Sequence, residues 1–473
     1  MRHLFSILLI FNFLSQKTFC QKTDLPRPTS AQRAWHDTEF YLFFHFGPNT
    51  FTNLEWGYGT ETEDLFNPTE LDCEQWCRIA KQAGAKGVII TAKHHDGFCL
   101  WPSQYSKHTV RESKWRDGKG DVLRDLADAC QRHNLKLGFY LSPWDRNHPQ
   151  YGTPEYNDVY ANTLTELLTS YGELFEIWWD GANGEGPNGK TQVYDFHRFE
   201  KIVARLQPNA VIFSDIGPGC RWAGNEQGLI LTETNWCTLD TVGFQRGAGG
   251  PPTDTLNQGN VNGVQWIPAE CDVSIRPGWF YHAEEDDKVK GADQLFDIYL
   301  HSVGRGANLI LNVPPDRRGR IHERDSASLV EFGMKLREGF DKNLLRGRKR
   351  ELVYRKCLYT PRRIVGNVND GDRKTAEAVS MDRVFGPVVN FDLRIKKRFN
   401  TIVLREHIAE GQRVQSFKIE IKKGKKWREI AQATTIGPRK IITFPTINAR
   451  RLRVTILKAR DLPLLSEVEL YKI

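Results

Sequence analysis

Long apolar runs are scarce in this chain of 473 residues, and the most prominent one lies at its N-terminus. Residues 4–14 form this run after Arg2 and His3, and a short stretch that ends in Thr18, Phe19 and Cys20 follows. The run is too short to span a bilayer, so it predicts a cleaved signal peptide over residues 1–20. An uncleaved anchor and a lipid-modified Cys20 are the less favoured alternatives.

Two further patterns are missing from the sequence. None of the nine cysteines forms a C-x-x-C pair, and most lie within apolar runs, which favours buried thiols over a disulfide scaffold or a zinc site. There is no N-x-S/T sequon after residue 20, which favours a bacterial exported protein, periplasmic or secreted, over a eukaryotic glycoprotein.

A concentrated charge of one sign is also missing. The net charge is +8, and the basic runs Arg346–Arg350 and Lys422–Lys426 accompany no recognition motif. We therefore expect no nucleic-acid partner. Tryptophan, by contrast, is abundant at 13 residues, and flat aromatic faces often line pockets that also contain polar groups.

Strand-like and helix-like segments alternate over the first two thirds of the chain. Continuous apolar strands between amphipathic helices predict a parallel sheet covered on both faces, and the number of units predicts a (β/α)8-like barrel over residues 21–344. No G-x-G-x-x-G follows the first strand, which argues against dinucleotide binding. The predicted strands cover residues 40–47, 87–95, 135–143, 174–180, 210–215 and 308–315. The sixth and seventh strands are not evident, and residues 217–282 are expected to form long loops.

The pattern changes after about residue 345. Short alternating segments separated by turn residues predict a β-sandwich over residues 345–473, weakly similar to galactose-binding domains. This domain either binds glycan or only braces the barrel.

Polar and aromatic residues follow nearly every predicted barrel strand, at the end where the active sites of barrels are built. Aromatic faces combined with His, Arg and carboxylates suit a sugar ring. Neither a metal nor a cofactor is expected, because adjacent residues such as His94 and His95 would point to opposite faces of a strand. The residues concerned are His45, His94, His95, Tyr140, Trp178, Asp180 and Arg221.

One carboxylate stands out as a nucleophile for glycoside cleavage, which requires two carboxylates. Asp180 ends the strand of residues 174–180, where Trp178 and Trp179 would hold and partly desolvate it. Its alternative role is to cap the glycine-rich loop that follows.

Several motifs together resemble the retaining α-L-fucosidases of glycoside hydrolase family 29. These are "FHFG", "EWG", "KHHDGF", "GFYLSPWD", "WWDGANGEGPNG" and "PAECDVSIRPGWFYH", and the last resembles the subfamily that acts on α-1,3/1,4-linked fucose of Lewis-type glycans. The resemblance implies a barrel followed by a β-sandwich, with Asp180 as the nucleophile. It places the following residues around the fucose ring: His45, Glu55, Trp56, His94, His95, Tyr140, Trp178 and Arg221.

The sequence leaves three candidates for the acid/base residue: Glu226, Glu233 and Glu270. In the Lewis-acting subfamily this residue occupies a loop like that of Glu226, which makes Glu226 the first choice and Glu270 the second. Trp279 is expected to wall the pocket, with core packing as its alternative. Two other functions stay open: a broad-specificity fucosidase that also cuts α-1,2 links, and an inactive fucose-binding protein.

Overall fold

The computed structural model describes residues 24–247, 249–353, 368–379 and 388–473. The predicted signal peptide lies outside these residues, as does Cys357. Within the described part of the chain, no helix is both long and apolar enough to cross a membrane. All seven cysteines in these ranges are buried free thiols, as predicted for them.

Eight parallel strands close into a barrel, which confirms the predicted fold class. The strands of this domain are β1 Phe40–Phe44, β2 Gly87–Lys93, β3 Lys136–Leu141, β4 Leu174–Trp178, β5 Val211–Ser214, β6 Cys220–Trp222, β7 Thr238–Leu239, β8 Gln265–Trp266, β9 Ala269–Ser274 and β10 Asn308–Asn312. Around the barrel the order is β1, β10, β9, β6, β5, β4, β3 and β2, and β7 pairs with β8 in a separate ribbon.

The expectation of long loops over residues 217–282 was wrong for the two barrel strands that this region contains. Strands β6 and β9 lie in this region and complete the barrel between β5 and β10. β6 has only three residues, and β9 carries two acids, so neither has the apolar run that identifies a buried strand.

The helices surround the barrel and bury its outer face. Asp72 caps α3 by accepting a hydrogen bond from the Gln75 amide, and Gly84 ends it in the left-handed conformation. The helices are α1 Ser30–His36, α2 Pro48–Thr52, α3 Cys73–Ala83, α4 Val122–His133, α5 Tyr156–Ser170, α6 Phe196–Leu206, α7 Thr253–Gln258, α8 Ala292–His301 and α9 Glu323–Gly339.

The C-terminal domain is an antiparallel β structure with a hydrophobic core of its own. Its two longest strands carry register shifts along their shared ladder. The strands are β11 Lys349–Val353, β12 Glu377–Ala378, β13 Val388–Glu406, β14 Val414–Lys423, β15 Lys426–Ala433, β16 Lys440–Ala459 and β17 Leu464–Tyr471.

The two domains are joined by buried polar contacts. The Gln412 side chain donates to the Asn235 carbonyl at 2.9 Å and accepts from the Cys237 amide at 2.7 Å. The Thr435 hydroxyl accepts from the Asn235 amide at 2.9 Å.

Candidate active site

Strand β4 ends at Trp178, and the alternation of side chains along it continues through Asp180, so Trp178 and Asp180 face one pocket. Trp178 and Asp180 both line a cavity of about 180 Å³ at the C-terminal end of the barrel. Trp179 lies on the opposite face, fully buried, where its ring packs against Phe196 and Phe199. The expectation that both tryptophans hold Asp180 was therefore wrong for Trp179.

The glycines after Asp180 make room for side chains packed against the loop. A Cβ atom on Gly181 would lie 2.1 Å from Oδ2 of Asp215, and one on Gly184 would lie 2.3 Å from the Trp144 ring. Only glycine allows these close approaches, so the glycine-rich run is a packing requirement of the pocket wall.

Asp180 is held by two hydrogen bonds. Its Oδ2 accepts from the Tyr140 hydroxyl at 3.1 Å, and its Oδ1 accepts from the Ala182 amide at 2.7 Å. The Tyr140 ring stacks on Trp178, which also stacks on Phe213 at a centroid distance of 3.9 Å. The carboxylate is thus fixed in place while part of it stays open to the pocket.

Three imidazoles line the pocket next to Asp180. Burial lowers the pKa of His45 to about 3 and that of His95 to about 4, and it lowers the pKa of His94 well below its usual value. All three rings are therefore neutral near pH 7. His94 and His95 share the pocket because β2 ends at Lys93, before them, so the expectation that they point to opposite faces was wrong.

Hydrogen bonds set the tautomers of two of these rings. Ser142 donates its hydroxyl proton to the Trp144 carbonyl, so its oxygen accepts from Nδ1 of His95 at 2.8 Å. The Asn312 amide donates to Ser274, so its oxygen accepts from Nδ1 of His45 at 2.8 Å. Each Nε2 is therefore an acceptor, which suits the hydroxyl groups of a sugar.

Glu55 joins two loops at the pocket rim. Its carboxylate accepts from the Trp279 amide at 2.9 Å and lies 2.5 Å from Nε2 of His282. This contact holds Trp279, half-buried, with its ring 5.1 Å from that of His45. Trp56, whose exposed fraction is 56%, lies edge-on to His95 on the same rim.

Glu226 reaches the pocket from a loop that is fixed by amide side chains. Asn225 and Asn257 each donate to both the Ala223 and the Leu229 carbonyl, which closes the loop across its base. The Glu226 side chain is exposed and lines the same cavity as Asp180.

A second cavity of about 360 Å³ adjoins the first, and Asp180 and Glu226 line both. It adds Asp215, whereas Asp272 lines both cavities, and neither residue was assigned a role from sequence. Burial and the charge of Asp180 raise the pKa of Asp215 to about 6, and burial with the charge of Glu226 raises that of Asp272 well above its usual range. The polar alternation of residues 270, 272 and 274 in β9 was the signal that could have identified Asp272.

Glu270 does not line the pocket, although it was the second choice for the acid/base. It is fully buried inside the barrel, where Oε1 accepts from the Trp178 indole at 2.8 Å and Oε2 bonds the Tyr41 hydroxyl. Burial and the neighbouring Glu176 raise its pKa well above the usual range. Glu270 therefore supports Trp178 from below.

Two more candidates lie away from the pocket. Arg221, implied by the resemblance to surround the sugar, is fully buried and donates to the carbonyls of Leu256 and Trp236, so that expectation is corrected. Glu233 pairs with Arg305 and Lys440 near the sandwich.

One group of side chains within the described ranges has the spacing of metal ligands: Glu176, Cys220 and Glu270, whose ligand atoms lie within 4.8 Å of one another. Their carboxylates already accept hydrogen bonds from Trp35 and Trp178, at 2.8 Å each. The donors that surround these oxygens satisfy them without an ion.

Comparison with known proteins places this geometry in context. The family model for alpha-L-fucosidases matches residues 30–338, and a model for NedA-like galactose-binding domains matches residues 367–454. Alpha-L-fucosidase 1 of Arabidopsis thaliana is 42% identical over 460 residues, covering 94% of this chain and 88% of its own.

Solved structures are similar along the whole described chain. A glycoside hydrolase 29 family member from a rumen bacterium is 40% identical with a TM-score of 0.81, covering 95% of this chain and 77% of its own. A Ruminococcus gnavus GH29 fucosidase in complex with fucose is 30% identical with a TM-score of 0.83, covering 94% and 95%.

Proposed function

The chain belongs to the alpha-L-fucosidase family, glycoside hydrolase family 29, and we propose that it is an exported, retaining exo-enzyme for α-1,3- and α-1,4-linked fucose on branched glycans. The observation that carries the proposal is the pairing of Asp180 and Glu226 on the wall of one small pocket with three neutral imidazoles.

The reaction follows a double displacement. Asp180 attacks the anomeric carbon of fucose while Glu226 gives its proton to the departing glycosidic oxygen. The C–O bond to the rest of the glycan breaks, and a fucosyl ester on Asp180 forms. Glu226 then takes a proton from water, whose oxygen attacks the same carbon and releases Asp180 and fucose with the original configuration.

The small pocket supports exo action. A cavity of about 180 Å³ accommodates one monosaccharide, and Nε2 of His45 and of His95 can accept hydrogen bonds from its hydroxyl groups. Trp178 and Trp279 offer apolar faces to the C–H groups of the ring.

The linkage proposal rests on the motif "PAECDVSIRPGWFYH" and on the second cavity. This cavity lies beyond Asp180 and Glu226 and gives room for further sugars next to the cleaved bond. A branched glycan would place two sugars next to the cleaved bond, and this cavity has room for them. Export rests on the predicted signal peptide alone.

Fucose release from three substrates tests the proposal: a Lewis-type trisaccharide, 2′-fucosyllactose and an aryl α-fucoside. We expect efficient cleavage of the Lewis sugar and little of 2′-fucosyllactose. Equal cleavage of both would favour the broad-specificity alternative. Release from none of the three would favour a binding protein.

Matched variants separate the two acid candidates. Glu226→Gln should lower cleavage of the Lewis sugar about 10²- to 10⁴-fold, and azide should rescue the aryl substrate and give α-fucosyl azide. Glu270→Gln keeps an acceptor for Trp178 and should retain most activity. The reverse result would move the acid role to Glu270.

A further inference from the structure

A third cavity, larger than the two at the active site, lies at the opposite end of the barrel. It has a volume of about 590 Å³ and is lined by residues of both domains, and it is called the interdomain cavity below. Glu39 lines it just before β1, whereas His45 follows the same strand into the active site. The two sites are therefore separated by the length of the barrel.

Cations outnumber anions around this cavity. The Glu39 carboxylate lies 2.6 Å from Arg439, 3.0 Å from Arg405 and from Arg373, and 3.8 Å from Lys86. Burial alone would raise the pKa of Glu39, but these cations hold it well below its usual range, so one carboxylate faces four positive charges.

Three other acids line the cavity and do little to balance this charge, whereas Glu469, outside the lining, also acts electrostatically on Arg405 and Arg439. Burial raises the pKa of Glu406 to about 7, although three backbone amides donate to its carboxylate. Glu410 pairs with Arg27 at 3.0 Å, and Asp37 is largely exposed and 3.9 Å from Arg373.

Three residues that line the cavity each have a buried donor atom with no hydrogen-bond partner among the described residues. These atoms are Nε of Arg405, Nε of Arg439 and Nδ1 of His36, on side chains more than nine-tenths buried. Nε2 of His36 accepts from the Trp266 indole at 3.2 Å, and burial lowers the His36 pKa to about 3. The neutral ring therefore carries its proton on Nδ1, so all three groups are donors.

We propose that the interdomain cavity binds a small oxyanion, a sulfate or phosphate group, free or carried on a sugar. Buried donors that have no acceptor among the described residues, together with the cations around Glu39, favour a ligand rich in acceptor oxygens. Arginine suits this role because its planar group bonds two oxygens of one anion. The residues outside the described ranges include a single acid, Asp382.

Such a ligand would join the two domains. Arg405 and Arg439 belong to the sandwich, and His36 belongs to the barrel. An anion that binds only the folded, docked protein raises its stability in proportion to the logarithm of ligand concentration.

Isothermal titration calorimetry on the full chain tests the proposal. The probes are inorganic sulfate, inorganic phosphate, glucose 6-phosphate and N-acetylglucosamine 6-sulfate, with sodium chloride at matched ionic strength as the blank. We expect saturable binding of at least one probe. Binding of the free ions shows that the group alone suffices, and binding of the sugar esters alone assigns the site to a modified glycan.

Variants connect the binding to the cavity. Arg405→Gln and Arg373→Gln should each weaken binding about tenfold or more, and the exposed Arg373 keeps the test valid if the buried variant does not fold. Arg450→Gln, which removes a surface arginine of the same domain, should leave binding unchanged.

Three outcomes would overturn the proposal. Wild-type protein that binds none of the probes beyond the chloride blank would show that water fills the cavity. Equal weakening by Arg450→Gln would show an adventitious ion only. Binding that appears only in Asp382→Asn would assign the cavity to the chain's own carboxylate.

Discussion

The hydrogen bond from Tyr140 to Asp180 joins the aromatic floor of the pocket to the proposed nucleophile. A hydrogen bond to a charged group contributes about 1.5 to 3 kcal/mol. Tyr140→Phe should therefore lower kcat/KM for an aryl α-fucoside about 10- to 100-fold. Tyr160→Phe, which removes a hydroxyl that donates to the Leu141 carbonyl outside the barrel, is the matched control and should leave kcat/KM within about twofold.

Asp215 gives a prediction about pH and stability. Its folded pKa of about 6 lies above the usual value of 3.8, so the folded state binds more protons than the unfolded state between these values. Wild-type stability that depends on this group is present below pH 3.8 and is lost as pH rises through 6. The free energy of unfolding of Asp215→Asn, relative to that of wild type, should rise by about 1 to 2 kcal/mol from pH 4 to pH 7.

Urea unfolding of both proteins at several pH values checks this prediction. The Asp215→Asn variant should be favoured at pH 7 and should lose that advantage at pH 4. A stability difference that does not change with pH would contradict the assigned environment of Asp215.

Sequence reasoning at the residue scale found the strand ends but not the depth of each side chain. His45 and Asp180 lie in the pocket as expected, because each follows a strand that the apolar pattern identifies. Trp279 also lies there as expected, although it follows β9, which the apolar pattern did not identify. Arg221 and Glu270 are buried elsewhere, because sequence shows that a residue is near a strand end without showing which backbone carbonyls or side chains will surround it.

The loop that carries Glu226 depends on close packing at one glycine. Gly228 has a φ of 74°, and a Cβ there would lie 2.7 Å from Cγ1 of Val273. Gly228→Ala should shift the loop, lower kcat for the Lewis sugar at least about tenfold, and reduce the free energy of unfolding by about 1 to 3 kcal/mol.

Gly243→Ala is the matched control for this loop. Gly243 has a φ of 86° but no heavy atom within 4 Å of the added Cβ, so only backbone strain of about 1 kcal/mol applies. Equal kcat values for the two variants would contradict the role given to the Glu226 loop.

Among the strands, length and polarity decided what could be predicted. β1 to β5 and β10 carry apolar runs and were identified, whereas β6 is short and β9 turns Glu270 and Asp272 into the barrel. Inward-facing polar residues interrupt the apolar pattern of a strand, so β9 is harder to recognise from sequence than β1 to β5.

The whole molecule depends on the contact between barrel and sandwich. Gln412 satisfies two backbone groups of the barrel, and Gln412→Leu would leave both without partners. The free energy of unfolding should fall by about 2 to 4 kcal/mol while kcat stays within about twofold. The exposed Gln432→Leu is the control, and a large loss there would show that the effect is not specific to the interface.

The two-domain plan was predictable from the change of pattern near residue 345, whereas the interdomain cavity was not. Glu39, Arg373, Arg405 and Arg439 are far apart in sequence and come together only when the sandwich docks on the barrel. Active site and interdomain cavity thus lie at opposite ends of the same barrel, one built by strand ends and the other by domain packing.

Mass spectrometry of peptides after reaction with 2-deoxy-2-fluoro-fucosyl fluoride decides whether Asp180 is the nucleophile, since this substrate traps a covalent intermediate of a retaining enzyme. We expect one fluorofucosyl group per chain, on the peptide that contains Asp180, and none in Asp180→Asn. An adduct on Asp215, on Asp272 or on any other carboxylate would contradict it, as would turnover without an adduct.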